Sequence, residues 1–62
     1  MNSEYNCPNC QKPLHLALIN TGTLLWCGNG KCKSDACNQG ATARSEAEAF
    51  KELEANWDKE AE

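Results

Sequence analysis

Residues 14–19, Leu-His-Leu-Ala-Leu-Ile, place Leu14, Leu16 and Leu18 at every second position. That period of two predicts a strand with one leucine-bearing face. Asn20-Thr21-Gly22 follows as a polar stretch whose glycine permits a hairpin turn. Residues 23–27, Thr-Leu-Leu-Trp-Cys, are rich in β-favouring side chains and predict the returning strand. Residues 28–39 then lose any pattern, opening on Gly28, Asn29 and Gly30, and predict an irregular stretch. Residues 40–43 suit a short third strand. Beyond them the period changes: Ala47, Phe50, Leu53, Trp57 and Ala61 recur at spacings of three and four, predicting a helix over about 46–59. Ser45 with Glu48 reads as its capping box. Glu46 and Glu48 suit the positive end of the helix dipole, whereas Glu60 and Glu62 oppose it at the far end, so the last turn is expected to fray. Residues 1–6 are polar and are expected to be loosely ordered.

With 62 residues the chain makes one domain, its sheet and turns over about 5–43 and its helix over about 46–59. A domain of this size buries only about 60% of the surface its unfolded chain exposes. Large apolar side chains are few: Leu14, Leu16, Leu18, Ile19, Leu24, Leu25, Trp26, Phe50, Leu53 and Trp57. They suffice for a thin layer between a small sheet and one helix, not for an enzyme cleft. Scaffolds of this kind need a staple.

Five cysteines supply the candidate staple. Disulfide frameworks belong to secreted chains with an even cysteine count and a signal peptide. The opening Met1-Asn2-Ser3-Glu4-Tyr5 has neither the basic start nor the apolar run of such a signal. Nor is there a run of roughly 18 apolar residues to cross a membrane. Metal-bound thiolates in a reducing cytoplasm are therefore the expected use. Cys7 and Cys10 form a C-x-x-C pair, and Pro8 presets a tight turn between them. Cys27 and Cys32 form a looser pair around Gly28, Asn29 and Gly30. A hairpin between two cysteine pairs brings all four sulfurs to one end of a sheet, the layout of a four-cysteine structural zinc site. The expected ligands are Cys7, Cys10, Cys27 and Cys32, around one structural Zn2+. Two alternatives stay open: Cys37 in place of Cys32, or Cys32 and Cys37 together without Cys27. Four thiolates also suit an iron site of the rubredoxin kind.

Other residues invite functional readings and have plainer ones. His15 falls on the strand face opposite the three leucines, where an exposed histidine is expected rather than a ligand. Trp57 reads as core, packed with Phe50 and Leu53. Trp26 either covers the helix or lies exposed, where it could stack on a base. No catalytic constellation is present: a catalytic zinc keeps an open position, and four cysteines close the site. The formal charge is −3, and four thiolates on a divalent ion would take it to about −5. Such a chain is poorly suited to non-specific phosphate binding unless Lys12, Lys31, Lys33 and Arg44 cluster.

The order of these motifs resembles the restriction-alleviation (Lar-like) zinc-ribbon family of phages and prophages. The matching stretches are Cys7-Pro8-Asn9-Cys10, Trp26-Cys27, residues 40–43, and Ser45-Glu46-Ala47-Glu48-Ala49 leading to Asn56-Trp57. The resemblance spans about residues 7–58. It implies a stand-alone zinc ribbon of phage origin, in the host cytoplasm, acting on type I restriction through protein contact. The chain departs from that family in three places. Gln11 stands where the family has Gly, Cys27-x4-Cys32 replaces a second C-x-x-C, and Asn56-Trp57 replaces Trp-Asn. Residues 7–33 are also similar to the C-terminal zinc ribbons of bacterial type I topoisomerases, which bind single-stranded DNA and contact RNA polymerase.

The expected fold is a small metal-stabilised α+β domain, a zinc ribbon of two or three antiparallel strands with one C-terminal helix. The expected role is a non-catalytic, protein-binding adaptor directed at a host or partner protein, such as a restriction or nucleic-acid-processing enzyme. The alternative is a single-stranded nucleic-acid-binding ribbon using Trp26, Lys12, Lys31, Lys33 and Arg44. No membrane association is expected.

Overall fold

The computed structural model describes residues 2–61, the last of them by its backbone alone. Six elements follow one another: β1 (Asn2–Asn6), β2 (Pro13–Ile19), β3 (Gly22–Trp26), α1 (Asp35–Gln39), β4 (Ala41–Ala43) and α2 (Glu46–Ala61). The strands form one antiparallel sheet in the order β1-β2-β3-β4. The expected antiparallel sheet with a C-terminal helix is present, and it holds four strands where two or three were expected.

The extra strand is β1, on residues expected to be loosely ordered. It is an edge strand, and its only aromatic side chain, Tyr5, stacks on Phe50 of α2 at 4.6 Å between ring centroids. Ser3 is buried and donates its hydroxyl to Glu46. Thus β1 is held from α2 as well as from β2. The helix α1 lies within the stretch expected to be irregular. Ser34 caps it, its Oγ accepting from Cys37 N at 3.3 Å. Gly40 closes it with φ 80°, donating to the Ala36 carbonyl at 3.1 Å. A side chain at Gly40 would strike the Leu25 carbonyl of β3.

Side chains paired across neighbouring strands share a face. Leu16 pairs with Leu25, Leu25 with Ala41, and Thr23 with Ala43, which places them under α2. The core is thin: Leu14, Leu25, Leu53, Ala41 and Ala49, with Cys7, Cys27, Cys32 and Cys37. The inward face of α2 carries Ala49, Phe50, Leu53 and Trp57. Ala47, expected on that face, is exposed, and Ala49 is buried in its stead. Two alanines are alike in size and hydrophobicity, so spacing alone separates them weakly.

Leu18, expected to share the buried face with Leu14 and Leu16, is 72% exposed. The helix lies over β3 and β4 rather than over the hairpin end of β2. On the other face, turned away from α2, His15 pairs with Trp26 and Ala17 with Leu24. The last turn of α2, expected to fray, continues to Ala61 because Glu60 has partners on α1. Glu62 and the side chain of Ala61 lie outside the described residues.

Candidate metal centre

The two cysteine pairs meet at the end of the sheet away from the β2–β3 hairpin. In the first loop, Cys7 N donates to the Lys12 carbonyl at 2.8 Å, and Gln11 N to the Cys7 carbonyl at 2.9 Å. These bonds close a tight turn in which Gln11 takes φ 67°. In the second loop, Cys32 N donates to the Asn29 carbonyl at 3.0 Å, and Asn29 Oδ1 accepts from Lys31 N at 3.1 Å. One asparagine, accepting at both its backbone carbonyl and its side-chain oxygen, thus organises a loop with little apolar content.

The sulfurs of Cys7, Cys10, Cys27 and Cys32 all lie within 4.8 Å of one another. Cys7 Sγ is 3.8 Å from Cys32 Sγ, and Cys10 Sγ is 3.5 Å from Cys27 Sγ. A metal bound tetrahedrally by thiolates at roughly 2.3 Å separates its sulfurs by about 3.8 Å. The donor set therefore fits a four-coordinate metal ion, with ligands from both loops interleaved. All five cysteines are free thiols.

Hydrogen-bond donors converge on these sulfurs. Burial pushes Cys7 well above the ordinary thiol range, opposed by the N–H groups of Cys10 and Asn9. Cys27 is pushed up to about 11 by burial, opposed by the Asn29 N–H. At Cys10 burial also works upward, but the Asn29 side chain, the Lys12 N–H and the neighbouring Cys27 and Cys7 thiols outweigh it, bringing the thiol down to about 6. Cys32 Sγ receives the Asn9 side-chain amide at 3.3 Å. Such donors stabilise the thiolate form that a metal requires.

Cys37, the alternative ligand, lies outside the four-sulfur cluster. It is fully buried on α1, and its carbonyl accepts from Cys27 N at 2.8 Å, tying α1 to the second loop. His15 also lies outside the cluster, but the expected exposed position is corrected. It is half-buried, stacked on Trp26 at 5.3 Å between centroids, and packed so closely on Gly28 that a side chain there would overlap its ring. Trp26 consequently faces away from α2 and does not cover it. Trp57 does join the core beside Phe50 and Leu53, and its Nε1 also donates to Asn9 Oδ1 at 3.3 Å. Asn9 was missed as a supporting residue because an asparagine in a C-x-x-C turn reads as turn chemistry.

Lys12, Lys31 and Lys33 are exposed at the metal end. Arg44 is at the opposite end, its backbone beside Gly22 at the start of β3. The four basic residues therefore do not form one patch. Among the described residues no helix is long and apolar enough to cross a membrane. The cluster of four cysteines is thus a candidate metal centre on its own geometry, since comparison with known protein families, characterised proteins and solved structures finds no match for this chain.

Proposed function

We propose that the chain is a non-catalytic module built on one structural zinc ion, and that it serves as a small protein-binding adaptor. The observation that carries this reading is the closed set of four sulfurs at tetrahedral spacing. Zinc suits a closed all-thiolate site, which leaves no position for water or substrate. When bound, the ion would crosslink the two loops and supply no chemistry. Cys7, Cys10, Cys27 and Cys32 would hold it.

The adaptor role draws on the face of the sheet turned away from α2. There β2, β3 and β4 present Pro13, His15, Ala17, Leu24, Trp26 and Thr42, and the edge strand β1 adds the exposed carboxylate of Glu4. A largely apolar centre with an acidic edge suits a protein interface better than a phosphate backbone. The resemblance to restriction-alleviation ribbons suggests a host restriction or nucleic-acid-processing enzyme as partner, and with it a cytoplasmic setting. Lys12, Lys31 and Lys33 at the metal end favour a second reading, single-stranded nucleic-acid binding. Oligonucleotide affinity that falls steeply with salt would move the assignment to that reading.

Elemental analysis tests the metal itself, on wild type and on Cys27→Ser, Cys32→Ser and Cys37→Ser. One zinc per chain is expected, kept in Cys37→Ser and lost or weakened in the other two. No bound metal, or a coloured iron protein with a reversible redox couple, would overturn the reading.

A further inference from the structure

Asn9 makes two side-chain contacts that join three parts of the molecule. Its amide nitrogen lies 3.3 Å from Cys32 Sγ in the other cysteine loop. Its Oδ1 accepts from Trp57 Nε1 on α2, also at 3.3 Å. An indole nitrogen only donates, so the amide must turn its oxygen toward Trp57. The NH2 group is then left to face the sulfur.

We infer that Asn9 is a positioning residue of the metal centre, held in orientation by Trp57 and donating to the Cys32 thiolate. This rests on the metal-centre reading above. Four thiolates around a divalent cation leave a net charge of about −2 at the site, which N–H donors to sulfur disperse. Cys7, Cys10 and Cys27 receive backbone N–H groups from their own loops. Cys32 closes the longer loop and receives its side-chain donor from across the site. The bond therefore ties one knuckle to the other as well as stabilising a ligand. Through Trp57 it also ties the ligand set to the C-terminal half of α2.

Three substitutions separate the two contacts. Asn9→Ala removes both. Asn9→Asp keeps an acceptor for Trp57 but faces Cys32 with a carboxylate in place of a donor. Trp57→Phe keeps a ring on the core and removes the N–H that orients the amide. The assay is competition for zinc against a chromophoric chelator, with circular dichroism at saturating zinc to establish that each variant folds.

Asn9→Ala is expected to weaken zinc binding about tenfold, the low end for a residue supporting a ligand, because Asn9 is exposed. Asn9→Asp is expected to weaken it at least as much. Trp57→Phe should weaken it about threefold, the scale of one net hydrogen bond, and should add no loss in the Asn9→Ala background. In the cobalt-substituted protein the sulfur-to-metal charge-transfer band should shift in Asn9→Ala and Asn9→Asp, a change that mere loss of stability would not produce. Should Asn9→Ala not fold, Asn9→Asp and Trp57→Phe decide the matter. Affinities within twofold of wild type, an unmoved cobalt band, or a Trp57→Phe loss of equal size in both backgrounds would overturn the inference while leaving the metal centre standing. A wild-type chain that binds neither zinc nor cobalt overturns both.

Discussion

Gln11 carries a left-handed backbone, φ 67°, which residues with a Cβ seldom adopt. The turn requires it: Gln11 N must reach back to the Cys7 carbonyl while the chain reverses into β2. The side chain offsets part of the cost, its Nε2 donating to the Pro8 carbonyl at 3.3 Å. A glycine would relieve a penalty of roughly 1–2 kcal/mol at this φ but would gain freedom in the unfolded chain. Gln11→Gly should therefore raise the stability of the metal-loaded protein by about 0.5–1 kcal/mol. Gln11→Val, β-branched and poorly tolerated at positive φ, should lower it by more than about 1 kcal/mol. Denaturant unfolding at fixed zinc concentration reads both, and equal midpoints for Gly, Gln and Val would show that the turn is not strained.

The helices show why an acidic residue at the wrong end of a dipole can still be favourable. Glu60 lies in the last turn of α2, yet its carboxylate accepts from Ser34 Oγ at 2.9 Å, Asp35 N at 3.0 Å and Ala36 N at 2.8 Å. Those donors are the first turn of α1, so Glu60 meets the positive end of another helix. The Ala36 N–H, the Ser34 hydroxyl and the Asp35 N–H hold its carboxyl below the ordinary glutamate range. A carboxyl lowered on folding stabilises the protein above its unfolded pKa, near 4.3, and that contribution is lost as pH falls through the lower folded value. Glu60→Gln should therefore lower the melting temperature at pH 7 by a margin that stays constant down to about pH 5 and closes as pH falls past 4. A margin unchanged at pH 3.5 would show that the carboxylate charge is not what holds α1.

This contact also marks how far the elements were legible in the sequence. The period of two at Leu14–Leu18 and the three-and-four spacing through Ala47, Phe50, Leu53 and Trp57 located β2 and α2, because each repeats one physical demand over several residues, although the spacing chose Ala47 where Ala49 is buried. The C-x-x-C turn and its partner pair likewise located the four-sulfur cluster. Strand β1 was not legible: its inward residues are Ser3 and Tyr5, held by Glu46 and Phe50 about 45 positions away. Helix α1 is five residues long, too short for a period, and is specified by Ser34, Gly40 and the distant Glu60. His15 was misread for the same reason, since its neighbours Trp26 and Gly28 come from the other strand and loop. Tertiary contacts decide these elements, and local pattern carries no trace of them.

At the scale of the whole molecule the core and the metal centre are one structure. Among the described residues only three large aliphatic side chains, Leu14, Leu25 and Leu53, are completely buried, and four of the nine buried apolar residues are cysteines. Three such leucines contribute on the order of 5–9 kcal/mol before the entropy of ordering the chain is subtracted. Zinc binding in small zinc peptides contributes on the order of 10–16 kcal/mol at neutral pH. Removing the metal would leave buried thiols with nothing to draw Cys7 and Cys10 onto Cys27 and Cys32. The ends of β2 and β3, α1 behind Cys37, and the Trp57 turn of α2 all depend on that junction. A strong chelator at pH 7 should therefore abolish the helical circular-dichroism signal and shift tryptophan emission to the red in a single transition. Stoichiometric zinc should restore both with the same midpoint. A chelated protein that keeps its helix signal, or loses the two signals at different zinc concentrations, would mean that sheet and α2 fold on the apolar layer alone. The apolar layer by itself is too thin for that, because three of the four cysteines that seal it, Cys7, Cys27 and Cys32, are residues that gather at the metal site.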